Sequence, residues 1–220
     1  MNEHRAEHRL AAANFFTRAR ARLTLDVPPA LTDPNAEGAR GDLDLNPDAW
    51  ERAGVKATRP AAVLVPVIDR AEPTVLLTQR TAELASHAGQ VAFPGGKIDS
   101  ADESPVAAAL REAQEETGLA PELIEPIGYL DLYLTFSGFR ILPTVARVRP
   151  GFSLELNPRE VTESFEVPLG FLMTPGNHQR KTRDWNGLKR DYYAIPYENR
   201  YIWGITAGIL RNLYERVCAG

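Results

Sequence analysis

The stretch from Ser104 to Gly118 constrains the chain more than any other. Ser104 is a good N-cap, Pro105 suits the first helical position and Gly118 suits the residue just past the end. The spacing therefore predicts a helix over Pro105–Thr117. Strand-like texture surrounds it. Ala62-Val63-Leu64-Val65-Pro66-Val67-Ile68 and Thr74-Val75-Leu76-Leu77-Thr78 are short apolar runs joined by the polar turn Asp69-Arg70-Ala71-Glu72-Pro73. Gln90–Phe93 reads as a third strand, stopped by Pro94-Gly95-Gly96. More strands are expected at Ile127–Tyr133, Arg140–Val148 and Glu163–Pro168, and a closing helix at Trp203–Val217. Strands before and after one central helix indicate a mixed α/β (α+β) domain. The sequence has neither the regular βαβ alternation nor the G-x-G-x-x-G turn of a dinucleotide-binding fold.

Residues 4–23 read as another helix, with Leu10, Ala13, Phe15 and Phe16 on one face and Arg18, Arg20 and Arg22 in its last turns. It either folds back on its own domain or pairs with a second copy as a homodimer. Residues 24–60 hold Pro28, Pro29, Pro34, Pro47 and Pro60 and read as a wandering connection. The chain thus divides into 1–60, a helix and proline-rich connection packing on the core, and 61–220, the main domain. At 220 residues, 44% hydrophobic and 25% charged, it is ordinary for a globular protein. Its 25 basic and 29 acidic side chains leave −4, which gives no electrostatic reason to expect nucleic acid or an anionic membrane surface. No apolar run is long enough for a membrane helix, and no apolar signal segment opens the chain. Cys218 stands alone, so an internal disulfide and a cysteine zinc site are excluded and nucleophilic catalysis by a thiol is not expected. A cytoplasmic location follows by elimination.

The central helix carries Arg111-Glu112-Ala113-Gln114-Glu115-Glu116. At about 100° per residue, Glu115, Glu112 and Glu116 share an arc of roughly 100°. Val106, Ala109, Leu110, Ala113 and Thr117 form the neighbouring arc, expected to be the packing face, so the carboxylates flank the core stripe. Clustered carboxylates repel one another, and a cation among them relieves this. All-oxygen donors select hard ions, Mg²⁺ first and Mn²⁺ second. Upstream, Gly95 and Gly96 allow close backbone approach, and Asp99, Asp102 and Glu103 crowd the loop before the helix. The Gly96 carbonyl and Glu103 are candidates to complete an octahedral site. Such a metal suits pyrophosphate hydrolysis, with a carboxylate orienting or deprotonating the attacking water.

Gly96, Glu103, Arg111-Glu112-Ala113-Gln114-Glu115-Glu116 and Gly118-Leu119 resemble the signature box of Nudix hydrolases, with six residues instead of five between the glycine and the first glutamate. The segment Leu76-Leu77-Thr78-Gln79-Arg80-Thr81 through His87-Ala88-Gly89-Gln90-Val91-Ala92-Phe93-Pro94-Gly95-Gly96 resembles the coenzyme A pyrophosphatase subfamily. So do Leu130–Phe139, Asn157–Val161 through Val167-Pro168-Leu169, and Ile202–Ala207. The resemblance covers about residues 62–212. It implies the Nudix fold, a mixed β-sheet sandwiched between α-helices. It also implies Mg²⁺- or Mn²⁺-dependent cleavage of coenzyme A or a derivative into adenosine 3′,5′-bisphosphate and (acyl-)4′-phosphopantetheine. The subfamily usually has a second arginine where Ala85 stands, which keeps another nucleoside diphosphate-X compound (ADP-ribose, a nucleotide sugar, a dinucleotide) as the alternative substrate. A catalytically silent binding protein of the same fold is the other alternative.

Carried onto these positions, the resemblance makes Glu112 and Glu116 metal ligands, Glu115 a ligand or the base, and Glu103 a ligand or a charge that offsets the helix dipole. Gly96 lends its carbonyl, and Arg111 holds the glutamates by ion pairing. Glu160, or failing that Glu163, supplies a carboxylate from outside the box. Arg80 grips a substrate phosphate, with Gly95, Gly96, Lys97, Ser137 and Phe139 bordering the cleft. Trp203 is expected in the core, and His178 at the surface. His87 falls inside the subfamily segment without a pattern-based role.

Overall fold

The structure is a computed structural model that describes residues 12–36, 38–83, 87–185 and 187–219. Residues 4–11 of the expected first helix, and Ala85, lie outside the described residues. In chain order the elements begin with helix α1 (Ala12–Arg22), strand β1 (Ala39–Gly41) and short helices α2 (Asp42–Leu45) and α3 (Pro47–Ala53). Strands β2 (Arg59–Ile68), β3 (Thr74–Arg80), β4 (Val91–Ala92) and β5 (Gly95–Lys97) follow, and then helix α4 (Pro105–Thr117). After it come β6 (Ile124–Tyr129), β7 (Leu132–Leu134), β8 (Phe139–Val148), β9 (Val161–Pro168) and the single-turn helix α5 (Leu169–Leu172). The chain closes with β10 (Gln179–Trp185), β11 (Leu188–Tyr197), β12 (Arg200–Trp203), α6 (Ile205–Leu213) and a π-helical turn over Tyr214–Cys218.

The centre of the molecule is a parallel pair. β2 and β8 run side by side from Arg59↔Phe139 to Ile68↔Val148. Around them the main sheet is ordered β1-β7-β8-β2-β3-β4, with β5 also on β2, β6 on β8 and β9 on β3. The apolar runs are continuous because both faces of the sheet are covered. Ala62, Leu64 and Ile68 join Leu76 and α4's Ala108, Ala109 and Ala113 in one cluster. Ala61, Val65 and Val67 point the other way, into a cluster with Phe15 and Phe16 of α1 and Ile209, Leu210 and Leu213 of α6. The result is a mixed sheet between helices. A second, three-stranded antiparallel sheet, β10-β11-β12, stands beside it.

Several elements depart from the sequence expectation. The Gly95-Gly96 turn does not merely stop a strand: Gly95, Gly96 and Lys97 pair with Val63, Ala62 and Ala61. β3 pairs with β9 throughout but follows β2 only at Val67↔Val75 and Ile68↔Thr74, turning to β4 further on, so β5 takes the remaining edge of β2. The expected strand at Ile127–Tyr133 is two strands. A register shift between Pro126 and Gly128 and a corner at Asp131 divide it; Asn212 holds that corner, accepting from the Asp131 N–H and donating to its carboxylate at 2.8 Å. The connection at 24–60 carries β1, α2 and α3. Arg140, buried inside β8, organises it by donating to the carbonyls of Ala30 (2.6 Å) and Ala57 (3.1 Å). The closing helix begins at Ile205, not at Trp203, because Gly204 takes a left-handed φ of 62° that breaks the run.

α1 ties the two ends of the described chain together. Its apolar face is buried, and Arg18 donates to the Cys218 carbonyl (3.2 Å) while Arg22 donates to those of Val217 (3.3 Å) and Ala219 (3.1 Å). We expect Phe15→Ala, which empties a fully buried site, to cost about 3–5 kcal/mol in denaturant unfolding. Arg20→Ala, which breaks an exposed pair with Glu125, should cost less than about 1 kcal/mol in the same measurement.

Candidate active site

Helix α4 is fixed at both ends as its capping residues dictate. Ser104 Oγ accepts from the Ala107 N–H at 3.1 Å, and Gly118, at φ 71°, donates to the Gln114 carbonyl. The residues facing the sheet are mostly alanines, so the helix backbone lies close to it. The buried arc is Ala108, Ala109, Ala113, Glu116 and Thr117. This is a rotation of the expected packing face by roughly half a quadrant, since Val106 and Leu110 are only partly buried. Glu116 does not flank the core stripe; it lies in the middle of it, 2% exposed.

Burial is the main reason that the Glu116 carboxyl is pushed up to about 8. Arg80 opposes the shift from 3.6 Å, as does a hydrogen bond from the Gly95 N–H, while Glu112 and Glu160 reinforce it. Glu112 is also raised, again chiefly by burial, against the pull of Arg111. Its carboxylate lies against Gly96, where a Cβ would come within 2.5 Å of it. A side chain there would displace that carboxylate. Glu160 sits on the loop before β9. Its carboxylate accepts from Asn157 Nδ2 (3.2 Å), and the Asn157 N–H donates to the Glu116 carbonyl (2.9 Å), fastening that loop to the end of α4.

Arg111 is the hub of the rim. It grips Asp102 with both Nε and Nη2 at 3.0 Å, and reaches Glu112 (3.0 Å), Glu115 (3.2 Å) and the Lys97 carbonyl (3.3 Å). Asp102 is held below its usual range by this partner. The sequence reading placed Asp102 in the crowded loop but gave it no role. Its fork-to-carboxylate geometry orients Arg111.

The structure therefore brings together Glu112, Glu116, Glu160, Arg80, Gly95 and Gly96. Glu115 stays on the exposed rim beside Arg111, 56% exposed. Glu103 is exposed and makes no hydrogen bond or ion pair with the other carboxylates among the described residues. Glu163 pairs with Arg200 instead. The donors are all oxygen, which suits a hard divalent cation, and a cation among Glu112 and Glu116 would offset the burial that raises both. Among the described residues, no three side chains already converge as a closed ligand set.

A cavity opens beside this floor, and a second adjoins the first. The first, about 220 Å³, is lined by Arg80, Gly95, Gly96, Lys97, Ser137 and Phe139, together with Val63, Phe93 and Ile209. The second, about 310 Å³, is lined by Asp42, Phe136, Trp185, Arg190 and Tyr192. His87, Gln90, Ser137, Trp203 and Ile205 belong to both walls. His87 holds a left-handed φ of 57° at this seam, with Nδ1 2.9 Å from Gln90 Oε1. Trp203 is thus a wall residue, not core, because β12 ends at the cavity. His178 is buried, not at the surface, with Nε2 2.6 Å from the Leu172 carbonyl. The second cavity is not legible in the sequence because residues 24–60 read as a connection and residues 179–184 carry no apolar alternation. Trp185-Asn186-Gly187-Leu188 was the available hairpin signal.

Residues 58–182 match the family model described as NUDIX domain. The proteins named uncharacterized Nudix hydrolase NudL from Citrobacter koseri and from Cronobacter sakazakii are 45% and 43% identical to this chain over 155 residues, covering 70% of it and 81% of each relative. A crystal structure of a NUDIX hydrolase from Alicyclobacillus acidocaldarius aligns over 73% of this chain and 92% of that one, at 19% identity and a TM-score of 0.46. A likeness that loose carries no argument.

The folded value of Glu116 lies above its ordinary 4.5, so its contribution to stability is complete below that value and is lost as pH rises through about 8. In metal-free protein, thermal melts should fall between pH 5 and pH 9 by more in the wild type than in Glu116→Gln. Saturating Mg²⁺ at pH 9 should recover most of the difference.

Proposed function

The chain belongs to the Nudix hydrolase family, and from that premise we propose that it cleaves the pyrophosphate linkage of coenzyme A or a derivative, releasing adenosine 3′,5′-bisphosphate and (acyl-)4′-phosphopantetheine. One observation carries this reading. The first cavity reaches the floor at Arg80, Gly95 and Gly96 and continues past His87 and Ser137 into the second, which suits an extended substrate with its pyrophosphate near the floor and a bulky arm beyond it. The subfamily-like segment Leu76–Gly96 supplies Arg80, His87, Gln90, Gly95 and Gly96 to the wall of the first cavity.

In the proposed reaction Arg80 and Lys97 face the phosphates, Arg80 from above Glu116 and Lys97 from the end of β5. Mg²⁺ or Mn²⁺, held by Glu112 and Glu116 with the Gly96 carbonyl, supplies charge neutralisation on the phosphate oxygens when bound. Glu160 takes a proton from the attacking water, whose oxygen joins one phosphorus as the bond from that phosphorus to the bridging oxygen breaks. Arg111 bridges Glu112 and Glu115, offsetting their mutual repulsion, and is itself oriented by Asp102. The apolar wall of Val63, Phe93, Phe139 and Ile209 lowers the polarity around the reacting phosphates, which strengthens each of these contacts.

A substrate panel with Mg²⁺ or Mn²⁺, resolved by chromatography, tests this: coenzyme A, acetyl-coenzyme A, ADP-ribose, a dinucleotide and a nucleoside triphosphate. Coenzyme A compounds should yield adenosine 3′,5′-bisphosphate well ahead of the others. Preference for ADP-ribose or the dinucleotide would overturn the substrate while leaving the family intact. On the preferred substrate, Glu160→Gln should lower kcat by about 10²–10⁴-fold with an unchanged melting curve. A near-normal kcat in that variant would remove Glu160 from the role of base.

A further inference from the structure

The second cavity has a chemistry of its own, and the reading above uses it only as space. Its wall is aromatic. The rings of Trp185 and Trp203 lie within 14° of parallel with centroids 6.4 Å apart, and Tyr192 meets both edge-on at 5.8 and 5.4 Å. Such a surface stacks a planar base without demanding a particular one. Facing it is a cation. The Arg190 guanidinium lies 3.8 Å over the Phe136 ring. Among the described residues it forms no ion pair, and its buried Nε has no hydrogen-bond partner. Of the neighbouring arginines, Arg180 is engaged by Asp191 and Arg200 by Glu163, while Arg183, opposite Arg190 in the strand register, lies 5.6 Å over the Trp185 ring. The acids of this cavity are also engaged. Asp42 accepts from Tyr133 Oη and the Phe136 N–H, both at 3.0 Å, and Asp191 accepts from Arg180 Nε (2.7 Å) and Thr182 Oγ1 (2.6 Å). Arg190 is therefore a planar fork over a ring; the buried Asp42 feels its charge but forms no ion pair with it among the described residues.

We propose that this cavity is a subsite for a 3′-phosphorylated nucleoside, with the base against Trp185 and Trp203 and the ribose 3′-phosphate on the Arg190 guanidinium. The inference rests on the coenzyme A reading and deepens it, because it assigns one end of that substrate to one cavity. Position agrees. The cavity joins the first at His87 and Ser137, so a nucleoside seated there directs its 5′-phosphate toward Arg80 and the carboxylate floor. A nucleoside diphosphate without the extra phosphate has no anion to place on Arg190. The arginine thus separates coenzyme A from compounds such as ADP-ribose or dephospho-coenzyme A.

Binding tests this without relying on turnover. Adenosine 3′,5′-bisphosphate and AMP are titrated into the full chain, without divalent metal, and followed by tryptophan fluorescence. The bisphosphate should bind at least tenfold more tightly than AMP. Arg190→Gln should bring the two to within about twofold, while Trp185→Ala should weaken both alike. Equal binding of the two ligands by the wild type overturns the proposal, as does an Arg190→Gln variant that keeps the preference. Should Arg190→Gln fail to fold, the wild-type comparison decides alone, and Arg190→Lys, which keeps the charge and loses the fork, should show a smaller preference. Failure of coenzyme A hydrolysis in the substrate panel with the bisphosphate preference intact would reject the reaction and leave the subsite standing.

Discussion

The candidate site depends on one close approach: the backbone of β5 against the carboxylates of α4. A Cβ at Gly96 would push the Glu112 carboxylate aside, and Gly95 has no room for one because the β2 backbone occupies that space. The two glycines let a three-residue strand pair with β2 and still press on the helix. The same contact buries Glu116 and brings the Gly95 N–H to it. Alanines on α4 complete the arrangement, since larger side chains at 108, 109 and 113 would hold the helix away from the sheet. The charge cluster on α4 is thereby turned inward. Desolvation, and not mutual repulsion alone, sets how these groups hold protons.

Around that contact the acids sort into two environments. Glu115 stands on a rim open to solvent, where charge is cheaply screened, beside Arg111, whose partner Asp102 is itself covered. Glu112, Glu116 and Glu160 lie inward and act on one another. The separation has a simple origin. A single residue step turns a side chain by about 100° around the helix, so residues 115 and 116 have different surroundings although they are adjacent in sequence. Arg80 comes from the end of β3 and sets a positive charge against Glu116, as Arg111 of α4 does against Glu112.

Much of this was legible in the residues. Ser104, Pro105 and Gly118 marked α4 at both ends, and the apolar runs at 62–68 and 74–78 marked strands covered on two faces. Less legible was anything decided by partners far along the chain. The rotation of α4 that buries Glu116 depends on where β5 lies, and helical periodicity alone favours the face with Val106 and Leu110. Arg140 looks like a strand-surface residue until the carbonyls of Ala30 and Ala57 come round to it, and these carry the segment that the prolines suggested was a mere connection. β10 was illegible because its residues, from Gln179 to Asp184, are exposed and carry no apolar alternation. It is stabilised by pairing with β11 and by ion pairs such as Arg180–Asp191, whose partners no local pattern reveals.

The parallel pairing of β2 with β8 has a further consequence, for the order in which the molecule assembles. Everything from β3 to β7, α4 included, lies between the two partners, so the central pair closes a very long loop and cannot be nucleated by a hairpin. Contacts of this range slow the search for the native state. Until β8 arrives, β2 presents an apolar run on both of its faces with an unsatisfied backbone edge, the combination that most readily recruits another chain. Pro60 and Pro66 lie within that run, where each removes a backbone donor. They stand as built-in interruptions to intermolecular pairing during the interval when the strand waits for its partner.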